Sequence, residues 1–151
     1  MITFTGSTRV GQSLMRAAAT NVKKIGLELG GKSPNVIFAD ADLDGAVEWA
    51  MIGIFFNQGE VCSAGSRIII EESIHDEFVK RLKKKAEAMT IGNPVNNPDI
   101  GPVITEKDME KILSYIKSGV EEGATLVTGG DRYMEGECAK GYFIRPTIFD
   151  N

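Results

Sequence analysis

Short apolar runs alternate with longer segments of helical periodicity along the chain, and this alternation limits the fold more than any other feature. Met1-Ile-Thr-Phe-Thr5 reads as a strand, Gly6-Ser-Thr-Arg-Val-Gly11 as a turn, and Leu14 to Ala19 as a helix former. Lys24 to Leu29 is a second strand ending in Gly30-Gly31, and Asn35 to Phe38 is a third, entered through Pro34. Asp40 to Asp44 offers capping carboxylates for a helix from Ala46 to Phe55 whose apolar character all round predicts burial. Arg67 to Glu71 is β-branched and extended. Ser73 and Asp76 have capping-box spacing before a helix with Ile74, Phe78, Leu82, Ala86 and Met89 on one face. The run Arg81, Lys83, Lys84, Lys85 falls on the other sides of that helix and reads as a solvated face. Gly92 to Gly101 is a loop. Thr105 and Asp108 repeat the capping spacing before a helix with Met109, Ile112, Leu113, Ile116 and Val120 on a stripe. Ala124 to Thr128 is a strand, Gly129 to Gly141 a polar connection, and Tyr142 to Phe149 an extended segment. The pattern is α/β, with both ends cutting into regular structure, so the chain is expected to be a fragment.

Composition excludes several functions. The 17 lysines and arginines against 21 aspartates and glutamates give a net charge of −4, and aromatics are 7% of residues; neither the basic surface nor the stacking platforms of a nucleic-acid binder are present. No run approaches the length of a membrane span, and no signal-peptide pattern opens the chain, so a soluble, cytoplasmic location is expected. The two cysteines, Cys62 and Cys138, lie in unlike surroundings without a CxxC, which suggests neither a disulfide framework nor a zinc site. The single histidine, His75, lies far from every motif and reads as a surface residue.

Three segments could carry chemistry. Gly6 to Ser13 joins a strand to a helix through a glycine-bounded turn, pointing backbone N–H groups and the helix dipole at an anion. Gln12 stands where a phosphate-binding P-loop has lysine, and Thr8 where the GxGxxG fingerprint has its second glycine, so a helix N-terminus with the Ser7 and Thr8 hydroxyls is what survives. Glu28 lies between Leu27 and Leu29 at a strand end, where apolar neighbours would raise its pKa toward that of a general base. Cys62 lies in the glycine-rich stretch Asn57 to Ser66, where flanking N–H groups could stabilise a thiolate or an oxyanion. Taken singly, each has a plain alternative: a hydroxyl-capped βα turn, a glutamate on a solvated face, an inert cysteine. Cys138 reads as inert.

Together, and in this order, Phe4-Thr-Gly-Ser-Thr8, Leu27-Glu-Leu-Gly-Gly-Lys-Ser-Pro34 and Phe55-Phe-Asn-Gln-Gly-Glu-Val-Cys-Ser-Ala-Gly-Ser-Arg67 resemble the NAD(P)-dependent aldehyde dehydrogenase superfamily. The resemblance continues through Gly101-Pro102, Gly129-Gly130 and Gly141 to Thr147 and is nearest to betaine-aldehyde-type members. It implies a partial aldehyde dehydrogenase fold: residues 1–31 as the end of a Rossmann-like cofactor domain and 32–151 as the front of an α/β catalytic domain. It further implies Cys62 as nucleophile, forming a thiohemiacetal and then a thioester, and Glu28 as the base that activates water. Gly6, Ser7, Thr8, Val10, Gly11 and Leu29 match the cofactor-binding positions, for NAD or NADP, and an aldehyde is the implied substrate. Glu60 departs from the glutamine of many members, and the upstream asparagine of the oxyanion hole, the adenosine-ribose contacts and the downstream glutamate have no counterpart. The chain by itself is therefore expected to be inactive and to associate, with itself or with a longer homologue, through exposed sheet edges. Two rivals follow: a noncatalytic remnant acting through that association, and a reactive thiol without hydride transfer.

Overall fold

A computed structural model describes residues 1–150. The chain opens with β1 (Ile2–Gly6), α1 (Thr8–Ala19) and β2 (Ile25–Leu29), and the two strands pair in parallel with Ile2 opposite Ile25 and Gly6 opposite Leu29. A second unit of the same kind follows: β3 (Pro34–Ile37), α2 (Leu43–Phe55) and β4 (Arg67–Ile70), with Pro34 opposite Arg67 in a parallel pair. Parallel neighbours cannot be joined by a tight turn, so each pair needs its crossover helix. The remainder is α3 (His75–Glu87), α4 (Glu106–Glu121), β5 (Thr125–Thr128) and β6 (Ile148–Asp150), the last two antiparallel. The α/β expectation holds, with strand bounds shifted by a residue or so at the ends.

In the first unit Ser7 caps α1, its hydroxyl accepting from Val10 N at 3.4 Å. Leu27 and Leu29 lie directly beneath Gly11: a Cβ there would stand 3.5 and 3.1 Å from them, so the missing side chain lets helix and strand approach. Side chains alternate along a strand, so Glu28 points to the opposite face, away from α1. Gly11 and Ala18 are the buried residues of α1.

The core belongs to the rest of the chain. Val47, Ala50, Met51 and Phe55 of α2 pack with Ile37 of β3, with Phe78, Leu82 and Ala86 of α3, and with Ile100. Phe78 and Val47 are fully buried, worth about 1.5–3 kcal/mol each relative to exposure. The stripe read on α3 is therefore the core face. α2 is not buried all round: Trp49 is 70% exposed and Ile52 lies outward, because α3 and the sheet cover only part of its circumference. The basic run of α3 is more than a solvated face, since Arg81 bridges to Asp44 at 2.6 Å and Lys85 pairs with Glu48, linking α3 to α2 across the surface.

Of the caps read from spacing, Thr105 forms, accepting from Asp108 N at 3.1 Å while its hydroxyl donates to Asp108 Oδ2 at 2.6 Å. The pair Ser73 and Asp76 does not: a 3-10 turn over Glu72–Ile74 moves the start of α3 to His75, and Ser73 donates to Glu71 Oε1 instead. Asp42 occupies the N-cap of α2 without a side-chain cap bond. Of the extended segment Tyr142 to Phe149, only its end joins a strand; Ile144 forms an isolated bridge with Arg132. The connection Gly129 to Gly141 contains a 3-10 turn over Gly136–Lys140 with Cys138 buried. Among the described residues no helix is long and apolar enough to cross a membrane.

Candidate active site

Helix α2 ends at Phe55, and the chain reverses through a 3-10 turn over Phe56–Gly59. Asn57 (φ 50°), Gln58 (φ 56°) and Gly59 (φ 77°) follow one another in the left-handed region, which asparagine and glycine adopt far more readily than glutamine. The reversal is closed by Glu60 N donating to Asn57 O at 3.0 Å and Asn57 Nδ2 donating to Glu60 O at 3.3 Å. A β-turn over Val61 to Ala64 comes next, with Ala64 N donating to Val61 O at 3.1 Å, so Cys62 and Ser63 occupy its apex. Cys62 is exposed, Ala64 is buried, and Gly65 N donates to Gly53 O at 3.0 Å, fastening the exit of the loop back onto α2. An approaching molecule can thus reach the thiol, whereas Cys138 is enclosed, in line with its inert reading.

The same turn touches the connection that follows β2. The Cys62 carbonyl oxygen lies 3.4 Å from the Cβ position of Gly31, and Arg67 Nε donates to Lys32 O at 3.1 Å. Gly30-Gly31 therefore lies against the Cys62 loop, and Glu28 stands three positions before that contact. The apolar enclosure expected around Glu28 is absent in this structure: Glu28 is exposed. Its leucine neighbours point toward α1, and the face it occupies is left uncovered by the described residues. Glu60 is also exposed.

The cofactor candidates gather at the β1–α1 turn. Gly6 ends β1 with φ 156°, and a side chain there would stand 2.6 Å from the Phe4 ring. Ser7 is the cap, Thr8 the first helical residue, and Val10 is 41% exposed. The Thr8 and Arg9 amides precede the first intrahelical bond, that of Gly11 N to Ser7 O at 3.0 Å, so the helix presents open donors to an anion. Gly11 and Leu29 are brought together as packing partners beneath the turn.

His75 is not a plain surface residue. It is half-buried at the start of α3, with Nδ1 3.0 Å from Asp76 Oδ1 and Nε2 3.0 Å from Asp150 Oδ1. The hydrogen bond to Asp76, followed by that to Asp150, holds its pKa above the ordinary histidine value. No local signal pairs it with Asp150, 75 positions away. Two further features escape a linear reading. The Gln58 amide, oriented by its hydrogen bonds, accepts from Gly101 N at 3.1 Å. A cavity of about 400 Å³ beside it is lined by Phe55, Gly101, Ile112, Ile116, Arg145 and Phe149.

The aldehyde dehydrogenase family profile matches residues 1–151. An aldehyde dehydrogenase of Emericella nidulans is 49% identical over 150 residues, covering 98% of this chain and 29% of the relative. Betaine aldehyde dehydrogenase of Bacillus subtilis is 48% identical over 152 residues, covering 100% of this chain and 31% of that protein. Retinal dehydrogenase 2 of Rattus norvegicus is 55% identical, covering 99% and 29%. The crystal structure of betaine aldehyde dehydrogenase from Staphylococcus aureus in complex with NAD+ superimposes with a TM-score of 0.94 at 42% identity, covering 97% of this chain and 29% of that one. The chain thus spans about three-tenths of the length of the curated relatives it matches.

Proposed function

The chain belongs to the aldehyde dehydrogenase family, and from that premise we propose that it carries the nucleophile and base segments of an enzyme oxidising an aldehyde to a carboxylic acid with NAD(P)+. The observation that carries this reading is the exposed Cys62 at the apex of its turn, set against Gly31 just after the strand that bears Glu28. As a thiolate, the Cys62 sulfur adds to the aldehyde carbonyl and gives a thiohemiacetal; loss of hydride leaves an acyl thioester on the same sulfur. Glu28 takes a proton from water, the hydroxide attacks the thioester carbonyl, and the acid departs as Cys62 is released. NAD(P)+, when bound, supplies the hydride acceptor. The open amides at the start of α1, the Ser7 and Thr8 hydroxyls and the side-chain-free Gly6 suit its pyrophosphate, with Val10 and Leu29 flanking.

We place the domain boundary after Gly31, because the main hydrophobic cluster begins at Ile37 and takes in neither Gly11 nor Ala18, the buried residues of α1. Hydride transfer and substrate enclosure draw on the larger share of the enzyme, so the 151-residue chain by itself should produce no NADH from aldehydes and NAD+. Replacing the homologous segment of the Bacillus subtilis betaine aldehyde dehydrogenase with residues 1–151 should give an active chimera. In it, Cys62→Ala should lower kcat by on the order of 10³-fold or more, and Glu28→Gln should slow thioester hydrolysis. An active Cys62→Ala chimera would sink the assignment.

A second reading, association with another copy or a longer homologue, is favoured by one specific surface. Val36 and Ile69 pair across β3 and β4 on the face away from α2, and they are 52% and 51% exposed, with Phe38 beyond them at 64%. Parallel sheets are ordinarily covered on both faces. Sedimentation of the purified chain should show self-association that Val36→Asp weakens; a clean monomer would count against this reading.

A further inference from the structure

We propose that Gln58 is a positioning residue for the Cys62 turn, through the bond that ties it to Gly101; the inference rests on Cys62 being the nucleophile. The loop between α2 and β4 has two ends to hold. Its exit is fixed to α2 by Gly65 N donating to Gly53 O. Its entry, Asn57 to Gly59, is wound in the left-handed region, and the Asn57 and Glu60 bonds there are internal to the loop, so they shape it without fixing it to the body of the protein. Gln58 supplies that attachment. Its side-chain oxygen accepts from Gly101 N at 3.1 Å and its nitrogen donates to Asn57 O at 2.9 Å, clamping the backbone just before the turn.

Both partners are suited to the clamp. Gly101 is buried, and a Cβ on it would stand 2.7 Å from the end of the Gln58 amide that faces it, so a side chain at position 101 would push the clamp apart. The Gly101 amide accordingly finds its acceptor in a side chain from a distant part of the chain. Glutamine resists positive φ, so without the clamp residues 57–59 are free to return to commoner backbone conformations and carry Val61 to Ala64 with them. Gln58 touches neither the thiol nor any reacting atom in this scheme; it acts through the backbone that presents Cys62.

The test uses the full 151-residue chain. A methanethiosulfonate nitroxide is attached to Cys62, buried Cys138 serving by its resistance to labelling as the fold control, and amide exchange is followed at Gly101. In the unsubstituted chain the Gly101 amide should exchange at least about tenfold more slowly than an open amide. Gln58→Met, which keeps the length and removes both bonds, should abolish that protection and narrow the nitroxide spectrum, with Cys138 still unlabelled. An unprotected Gly101 amide in the unsubstituted chain overturns the inference without any variant having to fold; so does an unchanged nitroxide spectrum in Gln58→Met. Failure of unsubstituted Cys62 to react with iodoacetamide at mildly alkaline pH would instead overturn the nucleophile reading, so the two failures are distinguishable.

Discussion

The chain contains two units of one design, β1-α1-β2 and β3-α2-β4, each a parallel strand pair crossed by a helix, yet they hold together differently. In the first, α1 carries Arg9, Gln12, Ser13 and Arg16 and buries Gly11 and Ala18 against its own two strands. In the second, α2 is apolar over most of its length and is gripped between its sheet and α3, burying Val47, Ala50, Met51 and Phe55. The first depends on close backbone approach at a glycine, the second on filled volume. A two-stranded sheet is marginal alone, so the unit with a second layer should hold the global stability and the other should open locally.

The contrast can be broken most severely from the inside. Phe78→Ala removes the fully buried ring that joins α3 to α2 and should cost about 3–5 kcal/mol in urea unfolding followed by circular dichroism. A loss below about 1 kcal/mol would show that the second unit does not hold the core. Gly11→Val acts on the first unit, where even a Cβ would stand 3.1 Å from Leu29. It should cost about 1–3 kcal/mol and raise amide exchange over residues 2–29 while leaving 34–87 protected. Equal loss of protection in both regions would mean that the two units unfold as one.

Smaller effects sharpen the picture outside the two units. Thr105→Ala removes the cap of α4 and should cost about 1 kcal/mol, with fraying confined to the first turn in hydrogen exchange. His75 ties the start of α3 to β6, and the carboxylates beside it raise its folded pKa above the ordinary 6.5. The stabilisation is therefore fully present below about pH 6.5 and is lost as pH rises through the folded value. Titrating the one imidazole by NMR should give a midpoint above 6.5, and Asp76→Asn should lower it; a midpoint at or below 6.5 would remove the tie from the account.

Features carried by spacing along the chain were legible before any coordinates. The α3 stripe from Ile74 to Met89, the Thr105 cap and the strand-to-helix passage at Gly6-Ser7 depend on residues within a few positions of one another, so periodicity and capping chemistry reveal them, although α1 begins at Thr8 and Thr8 to Gly11, read as turn, is its first turn of helix. The Ser73 cap is not formed because a 3-10 turn over Glu72–Ile74 displaces the helix start to His75, which leaves Ser73 inside that turn with its hydroxyl donating to Glu71. At the candidate site, residue types and motif order singled out Cys62 and Glu28, but the environment of Glu28 depends on which layers cover its face, and strand alternation by itself does not contain that.

Local chemistry along the chain therefore determined the α/β alternation and the apolar face of α3, because each is set by neighbours bound through short stretches of backbone, and it singled out Cys62 and Glu28 only as candidates. Tertiary structure alone decided that Gly31 meets the Cys62 turn, that Gln58 reaches Gly101 and that His75 bridges to Asp150. Those contacts join residues far apart in the polypeptide, and they form only after packing of the core has overcome the entropy of bringing such segments together.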